Sequence, residues 1–181
     1  MRLLLLVGSV VLLRSSAYAL PLTGHYTTGS GLTAEELKNG QEWGQTFQID
    51  PSGTITEANV ESVTLWLFRQ NNQGGKTITA SIRTSWNGAS LWQSTINANT
   101  VDQDGGADQS TIHSPVDFTA TAATLQTGTT YYLRVDTTAS EKIYIHYDQA
   151  SNYSPGSLVN KDGNEEGSTK DLLFRIEGAY V

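Results

Sequence analysis

Thr130-Tyr131-Tyr132-Leu133-Arg134-Val135-Asp136, followed closely by Ile143-Tyr144-Ile145-His146-Tyr147-Asp148, is the stretch that sets the fold class. Tyr131, Leu133 and Val135 alternate with Tyr132, Arg134 and Asp136. Ile143, Ile145 and Tyr147 then alternate with Tyr144, His146 and Asp148. A period of two throws successive side chains to opposite faces, so each run reads as a β-strand with one face toward a core.

The same period recurs on both sides. Toward the C-terminus, Leu172, Phe174 and Ile176 stand opposite Leu173 and Arg175. Toward the N-terminus come Val116 and Phe118, then Ile78, Ala80 and Ile82, and then Val63 to Phe68, where apolar residues occupy both faces. Trp43, Gln45, Phe47 and Ile49 begin the series, and Asp50-Pro51-Ser52-Gly53, Asn71 to Gly75 and Trp86-Asn87-Gly88 supply turns. Many short strands with almost no helical period describe an all-β chain, an antiparallel β-sandwich of jelly-roll type. Phe47, Leu65, Ile82, Leu133, Ile145 and Phe174 are expected inside it.

Before Gly40 the character differs. Arg2, the apolar run Leu3 to Leu13 and the small-residue site Ala17-Tyr18-Ala19 read as a secretory signal peptide over residues 1–19. The apolar run is shorter than the ~20 residues a membrane helix needs, and no later stretch is apolar enough to span a membrane. Residues 20–40 read as a leader, and residues 41–181 as the sandwich domain. In the leader, Thr33 and Glu36 have the spacing of a capping box ahead of Leu37 and Gly40, which predicts one short helix.

Removing Arg2 and Arg14 with the signal leaves 9 basic residues against 18 acidic ones, a net charge of −9 for the mature chain. The remaining Lys and Arg are scattered singly, which argues against nucleic acid as a partner. With no cysteine the core must hold without disulfides, within reach of a domain this size.

Catalytic signatures are missing from the sequence pattern. There is no G-x-S-x-G elbow and no thiol, and His25, His113 and His146 are widely separated with no metal-ligand spacing. The carboxylate pairs Glu35-Glu36 and Glu165-Glu166 are adjacent, not set to face each other across a cleft as glycoside hydrolysis requires. The expectation is a protein that is not an enzyme. Asp102, Asp104 and Asp108 around Gly105-Gly106 form an acidic loop that could hold structural calcium, since hard cations take several oxygen ligands from such turns. Asp162, Asn164, Glu165 and Glu166 form a second acidic loop of the same kind.

Aromatic side chains remain as ligand-binding chemistry, because a sugar's C–H face stacks on a ring while neighbouring amides and carboxylates bond its hydroxyls. Tyr144, His146, Asp148, Asn152 and Tyr153 lie in one segment, and Trp86 and Asn87 lie at another turn. Trp43 and Trp66 are assigned to the core. Tyr153 is the foremost candidate, on a short loop beside Asn152 and ahead of Ser154-Pro155-Gly156.

Taken in order, Trp43-Gly44-Gln45-Thr46-Phe47, Val63-Thr64-Leu65-Trp66-Leu67, Gly128-Thr129-Thr130-Tyr131-Tyr132-Leu133, Asn152-Tyr153-Ser154-Pro155-Gly156-Ser157 and Asp171-Leu172-Leu173-Phe174-Arg175-Ile176-Glu177-Gly178 carry a family resemblance. The chain from Gln41 to Tyr180 resembles the choice-of-anchor and related carbohydrate-binding-like jelly-roll modules of secreted and surface proteins. The resemblance implies a non-catalytic module whose partner is a polysaccharide or surface glycan, and the acidic charge favours a neutral or cationic one. The other reading is a structural subunit of an extracellular filament, matrix or virion, self-assembling by adding the Leu20 to Leu32 segment to a neighbour's sheet.

Overall fold

The computed structural model describes residues 19–27, 31–49, 55–104, 111–140, 142–150, 153–154, 156–167 and 169–181. Residues 1–18, all but the last residue of the signal peptide expected over 1–19, therefore lie outside the described residues. Among the described residues twelve strands follow one another: β1 (Leu20–His25), β2 (Leu32–Leu37), β3 (Trp43–Gln48), β4 (Glu57–Arg69), β5 (Thr77–Arg83), β6 (Ser90–Asn97), β7 (Pro115–Gln126), β8 (Thr130–Thr137), β9 (Ile143–Asp148), β10 (Leu158–Val159), β11 (Asp171–Leu172) and β12 (Phe174–Tyr180). Every strand pairing is antiparallel.

The strands form two sheets packed face to face. One, of five strands, runs β10-β3-β8-β5-β6. The other, of seven, runs β1-β12-β4-β9-β11, with β2 beside β9 and β7 beside β4. Within them the rows β2-β9-β4-β7 and β3-β8-β5-β6 hold the eight strands of a jelly roll, because the chain changes sheet at every step from β2 to β9 except β5 to β6. Strand β4 is the pivot. Its residues Ala58 to Leu65 pair with β12, and Leu67 to Arg69 pair with β9.

Phe47, Leu65, Ile82, Leu133, Ile145 and Phe174 are all fully buried between the sheets, as their alternation requires. The covered run Val63 to Phe68 is buried at every position, so its outer-face residues Trp66 and Phe68 are sheltered by something other than the second sheet.

The helix expected from Thr33 and Glu36 does not form. Leu32–Leu37 is β2, paired along its whole length with β9 from Leu32↔Asp148 to Leu37↔Ile143. Residues 20–40, read as a leader from sequence, thus contribute two strands to the seven-stranded sheet. Strand β9 is buried at all six positions, so its backbone N–H and C=O groups on that edge must find partners, and a paired strand satisfies more of them than a lone helical turn could. Glu36 Oε1 accepts instead from the backbone N–H of Lys142, a residue at φ 71°.

Candidate functional site

The outer face of the seven-stranded sheet divides into two halves. Around β4, β7 and β12 it is polar: Thr64 Oγ1 donates to Asp117 Oδ1 at 2.7 Å, and Arg175 Nε lies 3.1 Å from Glu177 Oε1. Toward β9 it turns aromatic. Trp66 and Phe68, two residues apart on β4, are flanked by Tyr26 on one side and by His113 and Tyr144 on the other.

Phe68 sits in a stack, 4.2 Å from His113 and 4.8 Å from Tyr144. His146, fully buried, has its Nδ1 3.2 Å from the carbonyl of Thr33 and its Nε2 2.9 Å from Nδ1 of His113. A carbonyl can only accept, so His146 carries its proton on Nδ1, and its Nε2 accepts from His113 Nδ1–H. His113 Nε2 then points at Asp104 Oδ2, 3.2 Å away. Burial pushes His146 down to about 4, and the neighbouring His113 adds to the effect. These contacts clamp the chain around Asp104 and His113 over Phe68 and close that half of the face.

The other half stays open. Tyr26 is 54 % exposed, and its ring lies 4.8 Å from that of Trp66. Beneath them is a cleft of about 390 Å³ whose wall includes Thr23, His25, Tyr26, Trp66 and Arg175. Two features of the sequence build it. Pairing of β1 with β12 brings Gly24 opposite Arg175, where a side chain at position 24 would strike the carbonyl of Phe174, and the end of β1 delivers Tyr26 to Trp66. The sequence singles out neither residue, because Tyr26 falls in the expected leader and Trp66 among the residues assigned to the core. The covered pattern of β4, apolar on both faces, was the signal that the outer face held something.

The residues proposed from sequence are mostly covered. Trp86 is 7 % exposed: Gly44 and Gly163 approach its indole closely, the Arg134 guanidinium lies 5.4 Å from the ring centre, and Tyr132 meets it edge-on. It belongs to the outer face of the five-stranded sheet and offers no ring to a ligand, because glycines let the surrounding backbone close over it. Asn87, beside it, is exposed in the turn. Tyr144 and His146 are buried in the stack described above. Asp148 is buried, accepting from the backbone N–H of Ala150 at 2.9 Å and lying 3.5 Å from His25 Nε2.

Tyr153 packs edge-on against Phe174 at 5.4 Å, and its hydroxyl shares a 2.8 Å hydrogen bond with Thr23 Oγ1. Burial raises the Tyr153 hydroxyl above its ordinary value. It therefore helps close the sandwich beside the cleft rather than forming a free platform. Asn152 and Pro155 lie outside the described residues. In the acidic loop, Asp102 Oδ2 accepts from the backbone N–H of Ser114 at 3.3 Å, and Asp104 faces His113. Asp108 lies outside the described residues, and among those described no group of three or more His, Asp or Glu is arranged to hold a metal ion.

Gln45, Thr46, Gly156, Ser157, Asp171 and Leu172 meet in space. Gln45 Nε2 donates to Asp171 Oδ1 at 2.6 Å, and Gln45 Oε1 accepts from the backbone N–H of Leu172 at 2.9 Å. Ser157 N–H donates to Thr46 Oγ1, and Thr46 N–H to the Ser157 carbonyl. At Gly156 any Cβ would run into the carbonyl of Thr46. These residues stitch β3, β10 and β11 together, joining the two sheets. No helix among the described residues is long and apolar enough to cross a membrane. Compared with known proteins, the chain matches no family model and no curated protein.

Proposed function

We propose that this chain is a secreted, non-catalytic domain that binds a polysaccharide in the cleft under Tyr26. The observation that carries the reading is the exposed Tyr26 ring, 4.8 Å from that of Trp66, lining a cleft that Arg175 also lines. A ring held against a second aromatic ring gives a sugar's C–H face a partner at little entropic cost, and Arg175 offers hydrogen bonds to ring substituents. A cleft this size and this open suits one or two sugar units of a longer chain. The signal-like residues 1–19 support secretion. Self-assembly by strand donation finds less support, because β1 is already paired with β12 of its own sheet.

The test is affinity electrophoresis of the wild type and Tyr26→Ala through gels containing a panel of neutral and charged polysaccharides. Retardation of the wild type by at least one polymer, lost in a Tyr26→Ala variant that melts as a folded protein, is the expected result. Retardation that survives in Tyr26→Ala moves the site elsewhere, and retardation by no polymer removes the reading.

A further inference from the structure

Resting on that reading, we infer that the sugar taken by the cleft carries a carboxylate, as the uronic-acid units of an acidic polysaccharide do. Arg175 stands on the outer face of β12 and lines the same cleft as Tyr26 and Trp66. Its guanidinium is anchored along one edge only, with Nε 3.1 Å from Glu177 Oε1, while the side chain remains 46 % exposed. Glu177 is itself held, accepting from Ser62 Oγ at 3.4 Å. Anchoring at Nε fixes the plane of the guanidinium and leaves the two terminal nitrogens as a fork.

Such a fork matches a carboxylate, which accepts from both nitrogens at once, far better than it matches a single hydroxyl. A uronic acid places a carboxylate on the same ring whose C–H face would lie on Tyr26, so one unit engages both features. Net charge argued from sequence for a neutral or cationic polymer. At physiological ionic strength, however, charges beyond about 8 Å are largely screened, so the cation lining the cleft outweighs the distant acidic surface. Glu177 lowers the net local charge without blocking the fork, and this limits the preference to a moderate one.

Affinity electrophoresis against polygalacturonate and alginate, each beside its methyl-esterified form, isolates the carboxylate because esterification keeps the ring and removes the charge. The wild type is expected to bind at least one free acid about tenfold more tightly than its ester. Arg175→Gln should erase that difference, Arg175→Lys should restore part of it, and Tyr26→Ala should abolish retention on acid and ester alike. Melting curves show that each variant is folded. Equal retention on acid and ester, or retention by neutral polysaccharides alone, overturns the inference and leaves the glycan reading standing. A preference for acid that persists in folded Arg175→Gln also overturns it. Retention by no polysaccharide overturns both.

Discussion

Where β3 meets β11, buried polar groups answer one another: the Gln45 side chain donates to Asp171 and accepts from Leu172, with no room between them for a ligand. On the outer face near β1 the arrangement is the reverse. There Tyr26 lies tilted against Trp66 but leaves more than half of its surface to solvent. Both regions contain residue types that sequence reasoning marks as functional. The difference teaches that burial against hydrogen-bond partners makes such residues structural, whereas a ring held by a neighbour yet largely open to solvent is available for recognition. His146 shows the same rule at the far end of the outer face, where one buried imidazole is consumed in holding Asp104, His113 and Thr33 together.

The contrast can be calibrated first against the core between the two sheets. Leu65→Ala removes a fully buried side chain from β4 and should cost about 2–5 kcal/mol in chemical denaturation. A loss below about 0.5 kcal/mol would mean that β4 does not pack as described.

Gln45→Leu sharpens the structural side of the comparison. It deprives Asp171 Oδ1 of a donor and the Leu172 N–H of an acceptor in a buried setting, and the expected cost is about 3 kcal/mol. Retention on polysaccharide should stay unchanged in this variant. A Gln45→Leu protein as stable as wild type but without ligand binding would reverse the roles given to the two regions.

Acid tests the closed half of the outer face. His146 has its protonation pushed down to about 4 in the folded chain, from 6.5 for an ordinary histidine, so the unfolded chain takes up a proton first as pH falls. Its contribution therefore favours folding above pH 6.5 and is lost progressively between about pH 6.5 and 4, by roughly 3 kcal/mol in all. His146→Asn keeps an N–H for the Thr33 carbonyl and removes the titration. The difference in stability between wild type and this variant should shrink, or turn against the wild type, across that window. A difference independent of pH would show that the imidazole is not held neutral.

Much of the sandwich was legible because alternation is a local property. Tyr131, Leu133 and Val135 must share a face whatever they pack against, and the same holds for Ile143, Ile145 and Tyr147, so strands and core followed directly from the sequence. Thr33 and Glu36 misled because their helix signal is local too. The partner that overrode it, β9, lies more than a hundred residues away and had an edge to satisfy. Trp86 and Tyr153 misled for a different reason: turn position suggested exposure, but Gly44 and Gly163 allow close cover over one, while Thr23 and Phe174 hold the other.

The sequence by itself determined the all-β class, the residues that fill the sandwich and the absence of thiol chemistry, since each depends on composition or on neighbours one or two positions away. Only the tertiary structure decided that Tyr26 and Trp66 meet, that Arg175 stands beside them, and that Tyr144 and His146 are closed off. Those facts depend on which strands lie side by side. A pairing such as β1 with β12 joins the two ends of the described chain, and it is chosen by the burial and backbone hydrogen bonding of the whole sandwich, not by any signal within either strand.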